Sequence, residues 1–548
     1  MRAVKLPKAL FILATLILPV VAADVPVAKW KRFEHAFQSS DSRGAAGLLV
    51  TFRSPLGIAR SVEGFWDGGA VYRVRFSPDR EGRWTFETAS DDAAMNGRRG
   101  GFLCTAPRKG TRFAQHGPIR VSRDGRHLEH EDGTQFFWLA DTAWNGPLFA
   151  TPEDWSFYLN ARARQGFTAV QWVATQWRGA PQGDASGTPA YTGPEKIHIN
   201  PEFFQRLDRK HDAIVEAGLV SAPVMLWAIS SRAGSEVNPG VSLPESEAIR
   251  LARYMRARWG ADPVLWLING DGDYRGPRAE RWRNIGRGVF GDGPHAPVSL
   301  HPGGRMWVQD EFREEPWLDI AGYQSAHADS EGNSVWITTG PPAEEWKRTP
   351  VRPVISLEAP YEVPGNDAFV RRNHLWSLLN APVAGVTYGA HAIWAWSDGV
   401  HPPAGHGNGV HPHWKEMLER PAAVQMGRLR AFFESIDWRG LRPSPELLAQ
   451  QPGGGRFISA ARSDADILIY TPGERRIALQ PAALPPDFRA QWISAGALLR
   501  SPAQASREGT AAVFATPEVG DWLLLIQSER RRGNRAGRAS VSSDSRQR

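Results

Sequence analysis

Between residues 136 and 394 the sequence alternates short apolar runs with longer helical patterns, and this alternation constrains the fold more than any other feature. Apolar strands separated by helices indicate a parallel sheet covered by helices. The predicted strands are 136–141, 168–173, 219–227, 263–269, 297–301, 319–324, 353–358 and 385–394. Eight such units predict an α/β protein built on a closed (β/α)8 TIM barrel.

The helix after the first predicted strand has clear signals at both ends. Thr151 is a suitable N-cap, Pro152 fits the first helical position, Asp154 follows in the first turn, and Gly166 marks the end. By contrast, the segments after the fifth and sixth strands are rich in Gly, Pro, Asp and Trp and show little 3.6-residue periodicity. The fifth and sixth helices are therefore only weakly predicted.

The regions on either side of the barrel have strand patterns without intervening helices. Short alternating runs separated by turn residues predict a β-sandwich before the barrel, and similar runs predict a second β-sandwich after it. No short internal repeat is visible, which argues against a solenoid or a propeller. The predicted divisions are a signal peptide 1–23, a sandwich 24–108, the barrel 109–436, a sandwich 437–527 and a basic disordered tail 528–548.

The N-terminal segment has the composition of an export signal. Three basic residues precede a thirteen-residue apolar run, 9–21, and small residues follow at Ala22 and Ala23. We expect cleavage near Asp24 and export to the periplasm or the medium; an uncleaved N-terminal anchor is the alternative. No later run is apolar enough for a membrane span, so no stable span is expected once the leader is removed.

The net charge of +7 is concentrated at the two ends of the chain. The leader is basic, and 528–548 holds seven Arg against Glu529 and Asp544, so the body between them is almost neutral. This distribution argues against nucleic acid as a partner. A single cysteine, Cys104, excludes an internal disulfide and a cysteine-based zinc site. The sequence leaves the oligomeric state open.

Two acidic residues follow the fourth and seventh predicted strands. Asp271 comes directly after the run 264–270, and Glu358 comes directly after the run 353–357. Side chains at the C-terminal ends of barrel strands face the active site, and a facing pair of carboxylates is the equipment for cleaving a glycosidic bond. The sequence therefore predicts a glycoside hydrolase with catalytic Asp271 and Glu358, acting on an oligo- or polysaccharide without a cofactor.

Each catalytic candidate has a neighbour that could replace it. Asp273 lies two residues beyond Asp271, and Glu362 lies four residues beyond Glu358. We favour the nearer residue in each case because it stays on the rigid strand end. A structural role is the other interpretation, since Asp and Glu after a strand often cap the next helix. Two such residues on the appropriate strands favour catalysis.

Other polar and aromatic residues near predicted strand ends are candidates for binding sugar. Aromatic faces together with acids and amides that bind hydroxyls are typical of such sites. Tyr323 could also hydrogen-bond the nucleophile and hold it ionised, or could be a buried core residue. The predicted substrate-binding residues are Asp141, Trp144, Gln171, Trp172, Trp227, His301, Tyr323, His391 and Trp394.

Four histidines crowd the loop after the eighth strand, at positions 401, 406, 411 and 413. Their spacing could suit a metal, but no cysteine or acidic residue stands between them and the loop is rich in Pro and Gly. We therefore expect a solvent-facing loop and no metal site.

Four motifs in order resemble the apiosidase-like (DUF4038) catalytic domains. They are the segment 125–144, which ends in Asp141-Thr142-Ala143-Trp144, and the segments 266–271, 353–362 and 385–394. Residues 62–69 are similar to the DUF5060 sandwich, and the C-terminal region resembles a collagen-binding-type domain of the same family. One departure is Asn269-Gly270-Asp271, where the family usually has Gly-Gly-Asp.

The resemblance implies a retaining hydrolase in which the acid/base follows strand four and the nucleophile follows strand seven. Position by position, Asp271 would be the acid/base and Glu358 the nucleophile. It also implies an apiosidase-like activity on plant cell-wall glycan. The alternative from another class is a non-catalytic carbohydrate- or matrix-binding surface protein, in which the barrel is only a scaffold.

Overall fold

The computed structural model describes residues 25–528. The predicted signal peptide, and the basic tail beyond Ser528, lie outside the described residues. The centre of the molecule is an eight-stranded sheet whose paired strands are all parallel, which confirms the α/β barrel prediction. In chain order its strands are Trp138–Thr142, Ala169–Val173, Val220–Trp227, Trp266–Gly270, Val298–Ser299, Ala321–Gln324, Val354–Glu358 and Val383–Tyr388.

The eight strands follow one another around the barrel in chain order, and the first strand pairs with both the second and the eighth. The ring closes between the fifth and sixth strands through the parallel bridge of Ser299 with Ile320. Because all strands run in the same direction, their C-terminal ends meet at one face.

The eighth strand ends earlier than the sequence predicts. It stops at Tyr388, and His391–Ala395 forms a short helix instead of continuing the strand to residue 394. This short helix is also buried, so its residues are as apolar as those of the strand before it. A short apolar run by itself does not distinguish a strand from a buried helix. His391 and Trp394 therefore lie beyond the strand end.

The helix predicted after the first strand is confirmed at Pro152–Arg164, and the Thr151 hydroxyl accepts from the backbone N–H of Asp154 at 3.1 Å. None of the helices in residues 25–528 combines the length and apolarity needed to cross a membrane. The α-helices are Arg112–His116, Gly146–Phe149, Pro152–Arg164, Pro201–Glu216, Pro239–Ser242, Glu245–Trp259, Pro277–Phe290, Glu331–Thr339, Pro341–Glu344, Asp367–Asn380, His391–Ala395 and Pro421–Glu434.

The fifth and sixth units depart most from a regular barrel, as the weak periodicity predicts. After the fifth strand the chain forms only the 3-10 turn Gln309–Phe312, and after the sixth it forms the nine-residue helix Glu331–Thr339. These irregular segments lie next to the strand ends that carry His301 and His327.

Sheets of predominantly antiparallel strands flank the barrel on both sides. The N-terminal strands are Val25–Ala28, Phe33–Gln38, Leu48–Arg53, Ala59–Glu63, Phe65–Trp66, Val71–Phe76, Gly82–Ser90 and Arg99–Thr105. The C-terminal strands are Arg442–Pro443, Ser459–Arg462, Asp466–Thr471, Arg476–Leu479, Phe488–Ser494, Arg500–Pro502, Ala505–Glu508, Ala511–Ala515 and Trp522–Ser528. Each region forms two sheets around its own hydrophobic cluster.

A buried ion-pair network joins the N-terminal sheets to the barrel. Arg258, on the helix after the third strand, is fully buried and donates to Asp67 at 2.7 Å and to Asp208 at 2.9 Å. Arg75 of the N-terminal sheets donates to the same Asp208 at 2.7 Å. Since charges taken out of water need partners, this network fixes how the two regions pack.

We expect Arg258→Met to lower the free energy of unfolding by about 3 kcal/mol, because it removes one partner from a buried ionic network and leaves the carboxylates under-compensated. Urea denaturation of both proteins measures this difference. The exposed Arg278→Met is the control and should change stability by less than about 0.5 kcal/mol. Equal stability of the Arg258 variant and the parent would contradict the role given to this junction.

Candidate active site

Glu358 and Asp271 both lie at the C-terminal face of the barrel. Glu358 is the last residue of the seventh strand, and Asp271 directly follows the fourth strand, with its N–H donating to the carbonyl of His301 at 2.8 Å. Asp271 adopts a left-handed conformation with φ of 52°. Non-glycine residues rarely do so, although Asp tolerates it better than most, and such conformations concentrate at functional sites.

Two histidines hold the carboxylate of Glu358. His327 Nε2 lies 3.0 Å from Oε1, and His301 Nε2 lies 3.3 Å from Oε2. Burial alone would raise the pKa of Glu358, but the hydrogen bonds from His301 and His327 and the positive charge they contribute outweigh burial and lower it well below the usual range. Glu358 is therefore ionised at neutral pH.

Asp271 is shifted in the opposite direction. Burial, followed by the negative charge of Glu358, raises the pKa of Asp271 to about 6. The nearby positive charges of His301, His327 and Arg178 reduce this rise without cancelling it. Asp271 thus stays protonated to a higher pH than an ordinary Asp, while Glu358 stays ionised. Catalysis by two carboxyls requires one of them to hold a proton and the other to be charged.

His327 is the functional residue that sequence reasoning missed. A register shift at Tyr323 and Gln324 and the left-handed Ala326, with φ of 69°, redirect the chain after the sixth strand and bring the ring to Glu358. Burial opposes protonation of His327, but the hydrogen bond and charge of Glu358 raise its pKa above the usual value. The only available signal was a histidine just beyond a predicted strand end.

Tyr361, which the sequence analysis also missed, lies among the rings of His327, His391 and Trp144. Its ring packs 4.5 Å from that of His327 and 5.0 Å from that of His391. Its hydroxyl accepts from Trp144 Nε1 at 2.8 Å. The position is three residues past Glu358, inside a motif that the sequence had already singled out.

Trp144, Trp227 and Trp394 line or support the pocket. The Trp144 ring lies 5.4 Å from His301 and 5.5 Å from Trp227, and Trp394 Nε1 donates to His391 Nδ1 at 3.1 Å. His391 is half-buried, and burial lowers its pKa to about 4, so its ring is neutral at physiological pH. Five of the predicted binding residues, Trp144, Trp227, His301, His391 and Trp394, thus lie around Glu358 and its partner His301.

Three predicted binding residues point away from the pocket. Asp141 is fully buried and accepts from Arg162 Nε at 2.6 Å and from the Tyr158 hydroxyl at 2.7 Å, both on the following helix. The Tyr323 hydroxyl donates to Ser377 on the helix Asp367–Asn380. Trp172 donates to Ser221 of the third strand, and its ring packs 5.3 Å from Trp259 on the helix Glu245–Trp259. Their geometry gives them structural roles instead of sugar contact, because side chains alternate between the two faces of a strand.

Gln171 is fully buried beneath the pocket. Its Nε2 donates to the carbonyl of Leu357 at 2.9 Å, and its Oε1 accepts from the Thr387 hydroxyl at 3.2 Å. The amide therefore supports the residue next to Glu358 from inside the barrel and does not reach a bound sugar.

The two rival carboxylates have other partners. Asp273 pairs with Arg275 and Arg278, and the hydrogen bond from Arg275 lowers its pKa to about 2. Glu362 is buried, accepting from the Tyr388 hydroxyl at 2.6 Å and from the backbone N–H groups of Ala422 and Ala423. Asp273 is a loop ion pair, and Glu362 caps the first turn of the last barrel helix.

We expect Asp273→Asn to change kcat/KM by less than about threefold, because a half-exposed ion pair contributes little. The comparison is with Asp271→Asn, measured under the same conditions. Both variants replace a carboxylate by an amide, at positions two residues apart. A loss as large in the Asp273 variant would reassign the acid/base to Asp273.

The four loop histidines have separate partners. His401 pairs with Asp398 at 2.6 Å, His406 stacks 4.5 Å from Trp394, His411 stacks 4.9 Å from His391, and His413 caps the N–H of Lys415. They do not converge on one point.

Within residues 25–528, one group of side chains has the spacing of metal ligands, and it consists of His211, Asp212 and Asp262. Arg32 donates to Asp212 at 2.9 Å and to Asp262 at 2.8 Å. The guanidinium already supplies the positive charge that a metal would bring, so this group is part of the packing of the N-terminal sheets on the barrel.

A parallel eight-stranded barrel with two oppositely shifted carboxyls at its C-terminal face is the arrangement of a glycoside hydrolase. The family described as "Apiosidase-like, catalytic domain" matches residues 122–439, and the domain of unknown function DUF5060 matches residues 26–91. The first match covers more than half of the chain. The chain therefore belongs to the apiosidase-like family and is a glycosidase. The predicted resemblances to the apiosidase-like catalytic domain and to the DUF5060 domain are confirmed.

Solved structures share this fold. A glycoside hydrolase family 5 structure from Bacteroides vulgatus is 21% identical, with a TM-score of 0.66 over 76% of this chain and 94% of its own. A structure titled "Glycoside hydrolase" is 20% identical, with a TM-score of 0.65 over 77% of this chain and 99% of its own. A second Bacteroides vulgatus structure, 18% identical with a TM-score of 0.67, covers 92% of this chain and 99% of its own. A search of curated proteins gave no match.

Proposed function

We propose that the protein is a retaining glycoside hydrolase that uses Glu358 as nucleophile and Asp271 as acid/base. The observation that carries the proposal is a pair of buried carboxyls, at the ends of the fourth and seventh strands, whose pKa values are displaced in opposite directions, downward for Glu358 and up to about 6 for Asp271. A nucleophile must be ionised and a general acid must hold its proton, and each environment favours the form its residue needs.

The reaction proceeds in two displacements. The Glu358 carboxylate attacks the anomeric carbon as the glycosidic bond breaks, and Asp271 gives its proton to the departing oxygen, leaving a covalent glycosyl ester on Glu358. Asp271, now ionised, takes a proton from a water molecule that attacks the same carbon and releases Glu358. The anomeric configuration is retained because it is inverted twice.

His301 and His327 orient the nucleophile in this scheme. Each contacts a different carboxylate oxygen of Glu358, and His301 is fully buried while the His327 side chain is 38% exposed. His301 thus fixes the carboxylate from inside, and His327 borders the space that a sugar enters. The interaction stabilises the ionised form before attack and helps Glu358 leave as a carboxylate in the second step.

We expect kcat/KM to fall above about pH 6, because the protonated form of Asp271 exists only below its pKa. His327→Gln should move the acidic limb of the profile to higher pH, since Glu358 loses a positive partner and its pKa rises. A pH–rate series on both proteins measures these limbs. An acidic limb that does not move in the variant would contradict the role of His327.

The substrate proposal rests on family membership. We propose an apiosidase-like activity on plant cell-wall glycan, with Trp144, Trp227, His391 and Trp394 shaping the pocket that receives the sugar. Export, the domain limits 24–108, 109–436 and 437–527, and any glycan binding by the flanking sheets stay predictions. The resemblance of the C-terminal sheets to a collagen-binding-type domain also stays a prediction.

The test is sugar release by the purified protein from apiose-bearing, pectic side-chain and hemicellulosic oligosaccharides, beside Glu358→Gln. Release that disappears in the variant supports the proposal and names the substrate class. Binding without release from any member of the panel would contradict hydrolysis and favour the scaffold interpretation.

A further inference from the structure

A second cleft opens at the C-terminal face, outside the pocket that holds the two carboxylates. Three segments form it, 145–149 after the first strand, 179–187 after the second and 395–404 after the eighth. Its volume is about 620 Å³. Sites for small molecules usually measure about 300–1,000 Å³, so the cleft has room for part of an oligosaccharide.

The floor of the cleft is fixed by a single buried amide. Asn145 Nδ2 donates to the carbonyl of Gly179 at 3.1 Å and to that of Ala395 at 3.4 Å, while Oδ1 accepts from Trp177 Nε1 at 2.8 Å. This side chain ties the loop after the second strand to the segment after the eighth. A floor held in this way is formed before a ligand arrives, which lowers the entropy cost of binding.

The walls of the cleft offer exposed polar groups. Asp398 and His401 pair at 2.6 Å with side chains 54% and 78% exposed, and Asp398 also accepts from the backbone N–H groups of Val400 and His401. The segment 179–187 adds the exposed amide of Gln182 to the lining. An acceptor and donors within one cleft suit vicinal hydroxyls, which both donate and accept.

Other lining residues present apolar faces. Phe149 is half-buried, and Pro181 and Pro402 are exposed, which gives faces for the C–H groups of a sugar ring. The other charged lining residue, Asp184, is paired with Arg206 at 2.6 Å. Among the lining residues, all of which the structure describes, no unpaired cation attracts an acidic sugar.

Buried aromatic rings join the floor of the cleft to the catalytic pocket, beginning at Trp177, which donates to Asn145. Trp177 packs 4.5 Å from Trp227 and 6.3 Å from Trp394, and His406 lies over both Trp177 and Trp394 at 5.6 and 4.5 Å. Arg178 donates to the carbonyl of Gly405 and so fastens the loop that carries His406. Trp227 in turn lies 6.3 Å from His301, which contacts Glu358, so the cleft and the catalytic pocket rest on one aromatic cluster.

We propose that the cleft is a binding site for neutral sugar residues next to the one that is cleaved, so that the protein recognises an oligosaccharide and not a single terminal sugar. This inference rests on the proposed hydrolase function, because only a hydrolase has a sugar that is cleaved and neighbours beside it. Binding in the cleft does not require turnover. The cleft has the features of such a site, namely a preformed floor, exposed hydrogen-bonding groups and apolar faces for a sugar ring.

The test is calorimetric titration of the Glu358→Gln protein with cellotetraose, xylotetraose, α-1,5-arabinotetraose and β-1,4-galactotetraose, and with the corresponding monosaccharides. At least one tetrasaccharide should bind more tightly than its monosaccharide. Adding Gln182→Ala and Asp398→Ala should weaken that tetrasaccharide by about tenfold or more, since the hydrogen bonds of both side chains are lost. Glu195→Gln, exposed and away from the cleft, is the control and should change nothing.

A second variant protects the test against indirect effects. Ala185 is exposed on the cleft wall, so Ala185→Trp should fill the cleft and abolish the tetrasaccharide preference while leaving monosaccharide binding unchanged. Binding of no tetrasaccharide above its monosaccharide, or a preference that survives both variants, would overturn the proposal.

The same experiments separate this inference from the proposed function. Tetrasaccharide binding that depends on the cleft, in a protein that hydrolyses nothing, would support the cleft and contradict the hydrolase. Hydrolysis with a KM that the cleft variants do not alter would support the hydrolase and overturn the cleft.

Discussion

Glu358→Gln is expected to lower kcat by about 10⁴-fold or more, because it removes the carboxylate that attacks the anomeric carbon in the covalent step. The amide is nearly the same size as the carboxylate but cannot attack the anomeric carbon. Single-turnover and steady-state assays on the released sugar measure the loss. Binding of the glycan should survive, since the pocket walls are unchanged.

The control for this variant is its fold. Far-ultraviolet circular dichroism and the melting temperature should show a folded protein. The Glu358 side chain is buried, only 5% exposed, but glutamine has nearly the same volume and can pack in its place. A folded Glu358→Gln protein that keeps more than about a tenth of the parent activity would exclude Glu358 as nucleophile.

Asp271→Asn is expected to lower kcat/KM by about 10²–10⁴-fold, the usual contribution of general acid-base catalysis. The loss should be much smaller for an aryl glycoside with a good leaving group, which departs without a proton. The fall in rate above about pH 6 should also disappear, since it reports the ionisation of Asp271.

The measurement is a comparison of the Asp271 variant on an aryl glycoside and on the natural glycan, with Asp273→Asn as the matched control. Equal losses on both substrates would show that Asp271 positions the substrate and does not protonate the leaving group.

The sequence predicts the barrel well because its signal is repeated. Eight apolar runs with intervening helices leave few other architectures, and the strand ends at Asp271 and Glu358 follow directly from that count. The eighth strand shows the limit, because a buried helix at His391–Ala395 continues the apolar pattern that ended with the strand.

The choice of site residues fails where it depends on which face of a strand a side chain takes. Asp141, Trp172 and Tyr323 stand at strand ends as predicted, yet each is turned out of the barrel, because neighbouring side chains alternate between the two faces. Asp141 and Tyr323 hydrogen-bond to residues on helices, and Trp172 packs on Trp259 of a helix. Moving a strand's register by one residue turns a side chain from the pocket to the helical layer. In an apolar strand buried on both faces, the sequence does not indicate which register is adopted.

The role of His327 could not be predicted from the sequence, for a different reason. Its contact with Glu358 depends on the irregular end of the sixth strand and the left-handed Ala326, and neither has a local sequence signature. The sequence indicated a tyrosine near the nucleophile at Tyr323, whereas the structure places Tyr361 and His327 there.

The most direct test of the account is the anomeric configuration of the sugar first released, followed by proton nuclear magnetic resonance before mutarotation. The account predicts that the first product has the same configuration as the substrate, because Glu358 and then water each invert the carbon once. First release of the opposite anomer would show a single displacement by water and would contradict the role of Glu358 as a covalent nucleophile.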